Sequence, residues 1–129
     1  MTVARGAPTM LKFGLICIAC GLFCLVPIVA HCEDKGMKVA LVAMGVGQGL
    51  DTVTTISALN RGAVEANGVY GKHPSAAKLV AAKLPMIGVG WLLTKVAPRH
   101  PRVAKGAAWV IGGVGAGLAI HNSQQGRGR

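Results

Sequence analysis

The chain has 129 residues, 52% of them apolar but only 4% aromatic, and its 14 Lys and Arg outnumber 4 Asp and Glu to give a formal net charge of +10. One domain fits that length, while so few aromatic residues beside a mean hydropathy of +0.52 exclude an ordinary water-soluble core. The apolar residues gather at 11–30, 37–59, 79–97 and 103–120, each block close to a membrane span in length, and nearly all the bases lie between the blocks. Bases so placed meet lipid headgroups and set topology, so anionic headgroups are the expected partner and nucleic acid is not. The basic tail QQGRGR at 124–129 is too short to carry nucleic-acid binding. The expected fold is therefore all-α, an integral membrane helical bundle of four spans, or of three if the N-terminal segment is a cleaved signal.

Arg5 and Lys12 precede the apolar run LICIACGLFCLVPIVA. The run reads either as an uncleaved first span or as a signal peptide with a small-residue cleavage site near Ala30. Both readings divide the chain into an N-terminal span or signal at 1–36, a polytopic membrane domain at 37–122 and a flexible basic tail at 123–129. Cys17, Cys20 and Cys24 recur at helical spacing and share one face, and Cys32 follows just beyond. No further ligand falls inside that span, so helix packing is expected there and no metal or other cofactor.

After a polar turn at Glu33, Asp34, Lys35 and Gly36, a second span covers 37–60. Gly45 and Gly49 form a G-x-x-x-G pair that lets another backbone approach closely. Gln48, Asp51, Thr52 and Thr55 fall on one helical stripe, with Thr54 beside it. A carboxylate inside a span costs at least about 2.5 kcal/mol on insertion scales, so Asp51 is expected to face protein, water or a partner charge rather than lipid.

The loop at 61–75 carries turn residues at Gly62, Asn67, Gly68 and Pro74, its one acid Glu65, and a solvated His73. Ser75 is a fair N-cap for a third span at 76–96. Lys78 can extend to the interface, whereas Lys83 lies deeper, and an antiparallel hairpin would bring it level with Asp51. An ion pair there would relieve both burial penalties. Pro85 predicts a kink, and Trp91 an anchor for the far half. A basic, proline-rich turn at 97–102 precedes the fourth span at 103–121, where Gly113 and Gly117 form a second G-x-x-x-G beside a row of Ala108, Gly112 and Ala116. The bases divide almost evenly between the two sides of such a bundle, so they do not decide its orientation.

The pattern Asp51-x-x-Thr54-Thr55, then Gly62, then Glu65-x-Asn67 and a lysine-bearing span resembles an uncharacterised family of small bacterial and phage membrane proteins. The likeness covers roughly residues 45–122, with Gly68 where that family has a proline. It implies a polytopic architecture with a polar intramembrane cluster and no particular reaction.

Enzymatic activity is not expected, because the chain has no Walker loop, H-E-x-x-H or G-x-S-x-G, and its glycine runs lie within apolar spans. The expected function is that of a structural, accessory or assembly component of a bacterial inner membrane or virion-associated membrane. Gln48, Asp51, Thr52, Thr54, Thr55 and Lys83 would form its polar cluster, with Gly45, Gly49, Gly113 and Gly117 packing the helices against further copies or other membrane subunits. The alternative is a holin-like or ion-conducting oligomer in which Asp51 lines the path.

Overall fold

The computed structural model describes residues 26–63, 71 and 74–125, which form helices and connecting turns. The expectations for Cys17, Cys20, Cys24, Glu65, Asn67 and His73, and for most of the first span, lie outside the described residues. Within them, three helical stretches are long and apolar enough to cross a membrane. The chain contributes α1 (Lys35–Asn60), α2 (Ala76–Ala81), α3 (Leu84–Val96) and α4 (Pro101–Gln124).

Helix α1 begins two residues before its apolar run because Asp34 caps it, accepting a 2.8 Å hydrogen bond from the Met37 amide. Lys35 and Gly36 are therefore helical and not part of a turn. At the far end Gly62 takes φ 89°, the left-handed conformation that stops a helix cheaply only at glycine. Ser75 caps α2 through a 3.2 Å bond from the Lys78 amide. Pro85, in the first turn of α3, has no N–H to offer the Ala81 carbonyl and its ring would strike that carbonyl. The stretch from 76 to 96 accordingly breaks at Ala82 and Lys83. Pro101 opens α4, where a missing amide proton is harmless.

Helices α1 and α4 lie side by side and parallel, while α2 and α3 form the returning limb between them. A Cβ on Gly112 would stand 2.8 Å from the Ala43 carbonyl oxygen, one on Gly115 2.6 Å from the Gly47 carbonyl carbon, and one on Gly47 would overlap the Gly112 carbonyl. Backbone thus meets backbone, which suits helices that lack a hydrophobic driving force between them in lipid. The buried face of α4 is Ala104, Ala108, Gly112, Gly115 and Ala119, against Met37, Ala40, Leu41 and Met44 of α1. The four glycines of the two G-x-x-x-G pairs do not all lie in this seam. Gly113 and Gly117 are exposed, with open space where a side chain would go, and the residues that close the α1–α4 seam are Gly47, Gly112 and Gly115. The cause is helical phase, since one residue turns the face by about 100°. Gly45 is buried in α1 and Gly49 half-buried.

Candidate functional site: a polar clamp across the bundle

Asp51 lies on the α1 face that meets both α4 and the break between α2 and α3. Its side chain is 10% exposed, and its Oδ2 accepts a 2.7 Å ion pair from Lys83 Nζ, whose own side chain is 33% exposed. The broken helix is what delivers that ammonium, because Lys83 is the residue preceding the Pro85-containing turn. Lys83 Nζ also donates to Gln48 Oε1 at 2.9 Å, and Gln48 Nε2 donates to the Ile111 carbonyl of α4 at 2.8 Å. Gly115 is needed for this second bond as well as for the backbone approach, since a Cβ there would stand 2.7 Å from Gln48 Nε2.

The other carboxylate oxygen, Oδ1, accepts a 3.1 Å bond from Asn122 Nδ2, which also donates to Thr55 Oγ1 at 2.8 Å. Arg61 extends the contact outward, donating to Ser57 Oγ at 2.7 Å and to the Gln125 carbonyl at 3.2 Å. One carboxylate, one ammonium, two amides and a hydroxyl therefore join α1, the α2–α3 break and α4. Among the described residues no buried side-chain nitrogen or oxygen lacks a partner. Completion of this kind is what makes a buried polar group tolerable.

Two threonines stand outside this cluster. Thr52 is buried, but its hydroxyl returns 2.9 Å to the Gln48 carbonyl, and Thr54 bonds the Leu50 carbonyl at 2.8 Å. Both satisfy their own helix, as threonines in apolar helices commonly do. Asn122 is the member that sequence reasoning missed. It lies beyond the last apolar residue, Ile120, at the very end of the membrane domain; only the parallel pairing of α1 with α4 brings it to Asp51.

A second, exposed contact ties the opposite ends of the same helices, where Lys105 Nζ sits 2.8 Å from Asp34 Oδ2. The hydrogen bond from Lys105, followed by that from the Met37 amide, holds the Asp34 carboxyl below its usual value of 3.8. Beside it Lys95 lies 5.4 Å from the centre of the exposed Trp91 ring.

Among the described residues no three His, Cys, Asp or Glu side chains converge as a metal site. Among the described residues the clamp holds a single carboxylate, that of Asp51. What it can do is hold helices in register. No family model, curated protein or solved structure matches the chain.

Proposed function

We propose that the protein is a small, non-enzymatic integral membrane component, structural or accessory in role, whose bundle presents its outer helical faces to lipid and to other membrane subunits. Further copies of the chain are the first such partner, with a bacterial inner membrane or a virion-associated membrane as the setting. The observation that carries this reading is the engagement of both Asp51 oxygens by other parts of the chain. Its two oxygens are taken by Lys83 and Asn122 from two different parts of the fold, as suits a register-fixing clamp. An ion entering here would have to displace the Lys83 ammonium or the Asn122 amide from the carboxylate, which favours a holding role over a conducting one.

The test is inducible expression in a bacterial inner membrane, with membrane potential and lysis followed for the parent and for Asp51→Asn. The clamp reading expects an unchanged potential in both, with less folded protein for the variant. Rapid depolarisation by the parent that disappears in Asp51→Asn would replace it with the holin-like, ion-conducting reading.

A further inference from the structure

A cleft of about 770 Å³ opens at the end of the bundle where α3 turns into α4, a volume within the range of sites that hold small organic ligands. One wall comes from the residues before α1 and the other from the end of α3 and the turn that follows it. Ile28, Ala97, Pro98 and Pro101 give the cleft apolar surface, while its polar groups come from His31, Glu33, Asp34, Thr94 and Lys95. The fold engages part of that polar lining, and what remains defines the ligand. Asp34 accepts from Lys105 and from the Met37 amide, each at 2.8 Å. The Thr94 hydroxyl donates its proton to the Trp91 carbonyl at 2.6 Å, so toward a ligand it can only accept. His31 Nδ1 lies 2.7 Å from the Pro27 carbonyl oxygen, which has no proton to give, so Nδ1 is the protonated nitrogen and Nε2 is left for other contacts. Glu33 is exposed, and among the described residues its carboxylate has neither an ion pair nor a hydrogen bond. The Lys95 ammonium, 5.4 Å from the centre of the Trp91 ring, likewise meets no carboxylate among them. One cleft is thus lined by an unanswered anion and an unanswered cation.

We propose that this cleft binds a phosphoethanolamine group, the headgroup of a bilayer phospholipid, with its phosphate on Lys95 and its primary ammonium on Glu33 and the Thr94 oxygen. The lipid source rests on the membrane reading proposed above. Phosphate and ammonium are joined by a short ethylene bridge in this group, so one ligand answers both charges of the cleft through charge-assisted hydrogen bonds. The apolar surface of Ile28, Ala97, Pro98 and Pro101 then receives the glycerol and the start of the acyl chains. Trp91, exposed beside Lys95, is the residue type that favours headgroup level. Related headgroups fit less well. Choline has no N–H to give Glu33 or Thr94, and the Trp91 ring that could receive a quaternary ammonium is engaged by Lys95. A headgroup with phosphate alone satisfies Lys95 but sets a negative charge beside Glu33 and Asp34 and leaves Glu33 unanswered.

Native mass spectrometry of the full chain tests the site. The protein is released from micelles that hold equimolar phosphatidylethanolamine, phosphatidylcholine and phosphatidylglycerol, and the bound lipid is identified by its mass. The expected result is an ethanolamine adduct at least about fivefold more abundant than either other adduct, falling to less than about twofold in Glu33→Gln. Circular dichroism of Glu33→Gln should match the parent, because the exposed carboxylate has no contact in the fold to lose. Equal adducts in the parent, an excess of phosphatidylglycerol, or an ethanolamine excess that survives in Glu33→Gln would each overturn the proposal. Glycerophosphoethanolamine added at the lipid's concentration separates the two sources of the same chemistry. Failure to displace the lipid supports a bilayer ligand, whereas full displacement overturns it in favour of a soluble zwitterion. Alkaline carbonate extraction of the expressing membranes distinguishes the levels of failure: release of the chain removes the membrane reading itself, and retention with equal adducts removes only the headgroup site.

Discussion

Lys83 and Asp51 share one ion pair, yet their loss should not be equivalent. Asp51 is 10% exposed at its side chain and Lys83 33%, so a stranded carboxylate has less access to water than a stranded ammonium on a flexible stem. Lys83→Met should therefore destabilise by about 3–5 kcal/mol, the range for a buried pair deprived of one partner, and Asp51→Asn by distinctly less. Reversible unfolding in mixed micelles would measure both, and the double variant should show coupling of about 1–3 kcal/mol. Equal losses would mean that the ammonium is as trapped as the carboxylate. Asn122→Ala should cost about 1–3 kcal/mol, because Asp51 Oδ1 and Thr55 Oγ1 both lose their donor. The pairing of Asp51 with Lys83 is legible in the sequence alone, since an antiparallel hairpin equalises their depths. The role of Asn122 is not, because it depends on which neighbour α4 chooses, and the packing that decides this is backbone contact without side-chain pattern.

At the scale of the element, the break between α2 and α3 and the cap of α1 each follow from one residue. Pro85→Ala would restore an amide donor for the Ala81 carbonyl and allow the limb to run on as one helix. Hydrogen exchange at residues 84–87 should slow, while the ion pair weakens as Lys83 rotates with the straightened helix. Unchanged exchange would place the cause of the break elsewhere. Asp34 makes a pH-dependent contribution whose sign is fixed by its lowered carboxyl value. The folded chain binds that proton less readily than the unfolded chain, so the contribution is whole above the ordinary carboxylate value and fades as pH falls through the folded one. Parent helicity should accordingly drop more than that of Asp34→Asn between about pH 5 and about pH 2, as circular dichroism in micelles would record. Of the four apolar blocks, three coincide with long helical stretches among the described residues, and two of those helices run beyond their blocks, to Lys35, where Asp34 caps α1, and to Gln124 at the end of α4.

For the whole molecule, the glycines of α4 divide into two sets that do different work. Gly112 and Gly115 face α1 at distances that leave no room for a methyl group, whereas Gly106, Gly113 and Gly117 face outward into open space. Spacing alone could not assign them, because both sets recur at helical intervals and only the position of α1 tells the inner from the outer. Around the outer set, Val103, Val110, Val114 and Ile120 are exposed apolar side chains, which on the proposed membrane reading lipid or another subunit covers. If copies of the chain meet there, a large side chain on the outer set should abolish assembly without loosening the fold. Gly113→Ile with Gly117→Ile is thus expected to remove energy transfer between donor- and acceptor-labelled copies in liposomes while the unfolding midpoint stays within error, since isoleucine is no worse than glycine within a helix. Gly112→Ala is the converse variant: it drives a methyl into the Ala43 carbonyl, and the strain of overpacking, about 1–3 kcal/mol or more, should lower the midpoint. Undiminished transfer in the outer double variant would mean that lipid covers that face, and assembly would then have to run through α3, where Leu84, Trp91 and Leu92 are each more than half exposed.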